Sequence, residues 1–178
     1  MRRLLFSVAA AVALLTACNK DDDNKNQAPS SAFTIEGQDK QTTATPFGFR
    51  VQWSVEEGGR MLMSNVNINA SAFSGKIDGV SFQVDTFVNG QTYTFKEAGA
   101  AGFDKRVNFS AADVVLGASF ANNAITPGTG KQLTDLQDGT ITIQKDPPSE
   151  SYRISYILDY GDAKVSGAFN GLMPVVNK

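Results

Sequence analysis

The chain has 178 residues, with sixteen Lys and Arg against eighteen Asp and Glu, a formal charge of −2, no histidine and a single cysteine. The lack of histidine excludes imidazole-based zinc or copper sites and any Ser-His-Asp or Cys-His arrangement, and one cysteine excludes an internal disulfide. No long basic run follows the first residues, which argues against a nucleic-acid partner because neutralising several phosphates takes clustered cations. In chain order, Arg2 and Arg3 precede Leu4 to Leu15, a stretch whose only polar residue is Ser7. This reads as the basic and apolar regions of an export signal over residues 1–17. Twelve helical residues reach about 18 Å, short of a bilayer core of about 30 Å, so no transmembrane anchor is expected there. Without residues 1–17, fourteen basic residues face eighteen acidic ones, and the remainder is long enough for one domain with a sizeable core.

Residues 15–18 read Leu-Thr-Ala-Cys directly after the apolar run. The segment resembles the lipobox of bacterial lipoproteins. The resemblance implies that the signal is cut before Cys18, that its thiol carries diacylglycerol and that the new N-terminus is acylated, with Leu15, Thr16 and Ala17 as the recognition segment. A cysteine suits that chemistry because its thiolate is a good nucleophile, and two or more acyl chains hold a protein stably in a membrane where one does not. The other reading of Cys18 is a small residue beside a conventional cleavage site. The following Asn19-Lys20-Asp21-Asp22-Asp23 resembles the signal that sends lipoproteins of the Bacteroides and Flavobacterium group to the outer leaflet of the outer membrane. It implies display on the cell surface; a periplasm-facing position is the alternative. The same run also reads as a solvated linker or a weak attractor of calcium, which lacks a prearranged loop of oxygen ligands. Over residues 18–31 only Ala28 and Pro29 are non-polar after the cysteine, so the expectation is a lipidated, disordered tether.

From Phe33 onward, short runs of period-two alternation are separated by glycine-, proline- and asparagine-rich turns. A first strand near 32–37 supplies Phe33 and Ile35. Phe47, Phe49, Val51, Trp53 and Val55 alternate with polar residues, and Glu56 to Gly59 turns the chain into a strand on which Leu62, Val66 and Ile68 share the apolar parity. Val80, Phe82, Val84 and Val88 form the next alternation. Asn89-Gly90 then suggests a type I′ hairpin returning through Tyr93 and Phe95. Residues 97–138 are less regular: a strand at Arg106 to Phe109, then a segment from Ser110 that reads either as a helical turn capped by Ser110 and Asp113 or as a strand. Ile141 and Ile143 face inward on a strand that ends at Asp146-Pro147-Pro148-Ser149. Tyr152, Ile154, Tyr156, Leu158 and Tyr160 share one parity of the next strand, and Val165, Gly167 and Phe169 one parity of the last, giving a three-stranded meander.

One wet and one dry face per strand predicts an all-β, two-layer antiparallel β-sandwich of about eight or nine strands over residues 32–178; a β-barrel uses the same alternation. The body is similar to small β-sandwich lipoproteins of unknown function from the same bacterial group, through Gly90-x-x-Tyr93-x-Phe95 and Gly167-Ala-Phe169. That resemblance implies the fold and no activity.

No reactive constellation stands out. Asp85 and Asp159 lie on polar parities with nothing to bring them together across a cleft. Asp135 and Asp138 fit a turn better than a calcium loop, and the glycines at 99–102, 128 and 130 lack a phosphate-binding context. No cofactor or metal is expected. Trp53 and Tyr93 are core candidates. Phe87, on the polar parity, Phe103, in a glycine-rich loop, and Tyr152 and Tyr160, near strand ends, are the candidate rings of a binding surface. The expectation is a non-catalytic, membrane-anchored surface module that binds a glycan or an envelope or host protein. The alternative is a structural or accessory subunit of an envelope assembly, adhesin or pilus.

Overall fold

The structure, a computed structural model, describes residues 32–37, 41–43, 49–52, 58–66, 73–122, 124–149 and 151–173. Cys18, Lys20, Asp21, Asp22 and Asp23, and likewise Phe47, Trp53, Val55 and Ile68, lie outside the described residues. Among the described residues the strands are β1 (Ala32–Gly37), β2 (Gln41–Thr43), β3 (Phe49–Gln52), β4 (Gly59–Ser64), β5 (Gly75–Val84), β6 (Gln91–Phe95), β7 (Asn108–Phe109), β8 (Ala111–Ala121), β9 (Ala124–Ile125), β10 (Lys131–Leu133), β11 (Asp138–Asp146), β12 (Ser151–Asp159) and β13 (Ala163–Leu172). They form two sheets. The first has seven strands in the order β2-β1-β13-β12-β11-β6-β7; the second runs β10-β8-β5-β4-β3, with β9 added to β8. The sheets face each other as a sandwich and do not close into a barrel.

The core follows from alternation. Along β12 every second residue, Tyr152 to Leu158, is buried while Arg153, Ser155 and Ile157 point to water. Phe33, Ile35, Tyr93, Ile141, Ile143, Val165 and Phe169 complete the inner face of the first sheet, and Met61, Met63, Val80, Phe82, Val84, Ala112 and Val114 that of the second. Phe82 meets Tyr156 edge to face across the interface at 5.0 Å. Tyr160 donates to the Ala112 carbonyl at 3.0 Å, which stitches the layers at one end. The strand at 32–37 and the β11-β12-β13 meander lie where alternation places them, whereas the alternation from Val80 to Val88 coincides with β5 only as far as Val84.

Two expectations are corrected and one open assignment is decided. First, β5 and β6 are not a hairpin: β6 pairs with β11 and β7 in the other sheet, so residues 85–90 carry the chain across the sandwich. Within the turn Val88–Gln91, closed by Gln91 N–H to the Val88 carbonyl at 3.1 Å, Gly90 has positive φ (77°) and Asn89 does not, so it is not type I′. The Asn89 side chain is occupied instead with β11, accepting from Lys145 N–H at 2.7 Å and donating to the Lys145 carbonyl at 3.1 Å. The Tyr93 hydroxyl holds the crossing by accepting from Val88 N–H and donating to the Thr86 carbonyl. Second, of the two readings of the segment after Ser110 the strand is the one observed, as the eleven-residue β8. Ser110 alone separates β7 in one sheet from β8 in the other, and its N–H donates to the Gln83 carbonyl at 3.0 Å. Third, on β4 the buried parity is Met61 and Met63; Leu62 faces the other way. Three consecutive apolar residues give period-two reading no purchase there, and the outer face of this sheet is itself partly apolar.

Candidate functional site

The candidate binding rings from the sequence do not assemble into one surface. Tyr152 is fully buried and Tyr160 is 8 % exposed, so neither presents a wet ring at a sandwich end. Phe87 packs against the core and meets Tyr152 edge to face at 6.1 Å, because residues 85–90 leave the strand and the β5 parity no longer applies. Phe103 is half-buried in the loop between β6 and β7. Asp85 bonds Gln83 at 2.8 Å, whereas Asp159 accepts from Gly161 N–H at 2.8 Å and pairs with Lys164 at 3.3 Å; these contacts hold the Asp159 carboxyl below its ordinary pKa. Among the described residues, no group of three or more Cys, Asp or Glu is placed to hold a metal ion.

A concave feature among the described residues lies on the outer face of the six-stranded sheet, where the alternation predicts a wet side. Its construction begins with side-chain size. On the central strand β5 the outward residues Gly79 and Ser81 are small, and their cross-strand neighbours are Ser64 and Leu62 on β4 and Val115 and Asp113 on β8. A low floor between taller flanks makes a hollow of about 300 Å³. A Cβ on Gly79 would approach the Met63 carbonyl oxygen at 3.0 Å and Ser64 Cβ at 3.4 Å, so strand packing as well as the hollow favours glycine.

One end of the hollow is built by a bulge. Ile77 pairs with Ala118 and Gly79 with Val115, so Leu116 and Gly117 on β8 stand opposite the single residue Asp78. The extra residue reverses the parity of β8: Ala112 and Val114 face the core before it, and Ala118 and Phe120 face outward after it. Ile77, Val115, Ala118 and Phe120 thereby form a second apolar cluster, flanked by Val66, Phe73 and Ile125, with the Phe73 and Phe120 rings 5.8 Å apart. The buried Asp78 carboxylate accepts from Gly117 N–H at 2.7 Å, and the Asp78 backbone exchanges bonds with Asn65 at 2.9 and 3.0 Å, which clips the bulge to β5. The hollow's other end is polar. Arg60 forms an ion pair with Asp113; the two side chains are 45 % and 35 % exposed. The Ser81 hydroxyl leans toward Asp113 at 3.5 Å, whereas the Ser64 hydroxyl is spent on the Val66 carbonyl at 2.6 Å.

The site is thus an apolar trough ending in a mutually neutralised pair of charges. It combines an apolar wall with a few placed polar groups, the composition of ligand sites in general. Sequence alone does not reveal it, because alternation puts Leu62 on the apolar parity and leaves the segment after Ser110 open between helix and strand. The signal that was available is the row of small outward residues on β5, Gly79 and Ser81, beside Leu62 and Val115. Comparisons with protein-family models, with curated proteins and with solved structures find no match to this chain.

Proposed function

We propose that this chain is a non-catalytic surface module, held at the outer membrane by lipid on Cys18 and lifted on a tether of residues 18–31, that binds a glycan or an envelope or host protein. The observation that carries the binding role is the hollow of about 300 Å³ on the solvent side of the six-stranded sheet, apolar along most of its wall and closed at one end by Arg60 and Asp113. Apolar concavity outside the core is what a protein keeps for a partner. The pairing of the two charged groups supports a recognition role over a reactive one, since each is engaged with the other. A structural subunit joined by strand addition would use a long free edge; β7 and β10 are two and three residues long, which favours the face over these edges.

The test uses cells displaying the tagged protein, probed with a glycan array and with purified envelope and host extracellular proteins. Saturable binding of a defined probe is expected, lost in Ser81→Leu, whose longer side chain fills the floor. Binding unaffected by Ser81→Leu would remove the hollow from the function. Surface labelling checks the address: Cys18→Ser should release the protein from the membrane, and full surface labelling of the variant with Asp21, Asp22 and Asp23 changed to Asn would refute the export role of that run.

A further inference from the structure

We infer that the occupant of the hollow is an extended protein segment, which inserts one large apolar side chain between Leu62, Val115 and Ile125 and turns the backbone N–H and carbonyl of an adjoining residue toward the Arg60–Asp113 pair. This rests on the binding role proposed above and adds the chemistry of the partner.

The walls decide the body of the ligand. Leu62, Ile77, Val115, Phe120 and Ile125 offer no donor or acceptor from their side chains, and the Ser64 hydroxyl is already committed to the Val66 carbonyl. A pyranose ring seated there would turn hydroxyls toward groups that cannot answer them, and an unanswered polar group in an apolar site is costly. An aliphatic or aromatic side chain leaves nothing unanswered. Its size admits this: about 300 Å³ is at the bottom of the range of roughly 300–1,000 Å³ seen for small-molecule sites, and a cavity of about 150 Å³ already holds a benzene ring, so a large apolar side chain enters with part of its backbone.

The charged end decides the head. A carboxylate drawn to Arg60 meets Asp113 beside it, and an ammonium drawn to Asp113 meets Arg60. The backbone of one extended residue has no net charge, yet presents one N–H donor and one carbonyl acceptor toward the same side. Its N–H can donate to Asp113 and its carbonyl can accept from Arg60 without separating the ion pair. In an extended segment alternate side chains point to opposite sides, so one enters the hollow while its neighbours point away.

The experiment follows the methyl NMR signals of Leu62, Val115 and Ile125 in the purified full-length protein. The probes are capped pentapeptides Gly-Gly-Xaa-Gly-Gly with Xaa as Leu, Phe, Asp or Lys, together with free leucine and the neutral trisaccharides cellotriose and mannotriose. Saturable shifts are expected with the Leu and Phe peptides and not with Asp or Lys. Ser81→Leu should abolish them, and Arg60→Ala or Asp113→Ala should weaken binding about tenfold, as the loss of one hydrogen bond to a charged group predicts. If Ser81→Leu does not fold, Ile125→Gln at the rim serves the same purpose. Free leucine binding as tightly as the capped Leu peptide would overturn the backbone assignment. Trisaccharides moving these methyls in place of peptides would overturn the inference while leaving the hollow a binding site. No response to any probe would overturn the inference alone; together with unchanged cell binding by Ser81→Leu, it would overturn the binding role as well.

Discussion

Gly117 and Gly130 sit on neighbouring segments of the six-stranded sheet with the same left-handed φ of +63°, and substitution by alanine at each separates backbone strain from steric exclusion. At Gly117 an added Cβ would meet nothing within 4 Å. The cost of Gly117→Ala is therefore the left-handed conformation alone, about 1–2 kcal/mol. At Gly130 the same methyl would be driven against the Leu116 carbonyl oxygen and lie 2.5 Å from Ala118 N. These are backbone atoms of the β8 bulge, with no side-chain rotamer to yield, so Gly130→Ala must displace the bulge itself. It should cost about 2–5 kcal/mol, the conformational strain plus an overpacking penalty of about 1–3 kcal/mol. For a domain of this size the two variants should melt lower by roughly 2–8 °C and roughly 4–20 °C, respectively. Urea denaturation and thermal melting of the purified protein measure both, and methyl NMR of Ala118 reports whether the bulge has moved. Equal destabilisation by the two substitutions would refute the steric part of this reasoning. An undisturbed Ala118 signal in Gly130→Ala would refute the link between that glycine and the bulge.

Other outcomes follow from the core and from titration. Phe82→Ala removes a fully buried ring that meets Tyr156 edge to face and should cost about 3–5 kcal/mol in denaturant unfolding. Tyr160→Phe keeps the ring and deletes the bond to the Ala112 carbonyl; a loss of about 1 kcal/mol is expected, measured in the same way. Burial pushes the Tyr93, Tyr156 and Tyr160 hydroxyls above the ordinary tyrosine pKa of 10.0. Their neutral forms are favoured in the fold, so the stability they contribute is fully present below pH 10 and is lost as the pH rises beyond it. Ultraviolet titration should show these three ionising only as the protein unfolds, and reversible ionisation near pH 10 without unfolding would contradict their burial. For Asp159, whose folded pKa is lowered from 3.8 by the Gly161 N–H and by Lys164, the sign is opposite. Its contribution is present above that value and fades as the pH falls through the folded pKa, so Asp159→Asn should flatten the acid limb of the stability curve. An NMR titration of Asp159 at or above 3.8 would contradict it.

How much of this was legible depended on whether a strand had one dry face or two. β12 was fully legible: Arg153 and Ser155 on one side of Tyr152, Ile154 and Tyr156 leave a single assignment. β4 was not, because Met61, Leu62 and Met63 are all apolar and both faces of its sheet bury apolar groups. β8 hid behind its bulge. Ala112 and Val114 belong to one face and Ala118 and Phe120 to the other although all four are even-numbered, so no single period fits the strand. The Asn89-Gly90 pair predicted its local turn residue, but hairpin pairing is decided by what the flanking strands meet, and here the asparagine amide binds β11. The hollow was illegible for the same reason as β4 and β8, since it exists only where those two strands flank β5.

The pairing of β1 with β13 has a consequence for how much chain the seven-stranded sheet needs before it is whole. Phe33 lies opposite Gly167 and Ile35 opposite Val165, so β1, with β2 at its outer edge, joins the rest of the sheet through the last strand. Phe33 and its partner are more than a hundred residues apart in the chain. Closing that loop costs chain entropy that the β11-β12-β13 meander, built from neighbours in sequence, does not incur. A chain cut short before β13 would leave Phe33 and Ile35 without the strand they pair with.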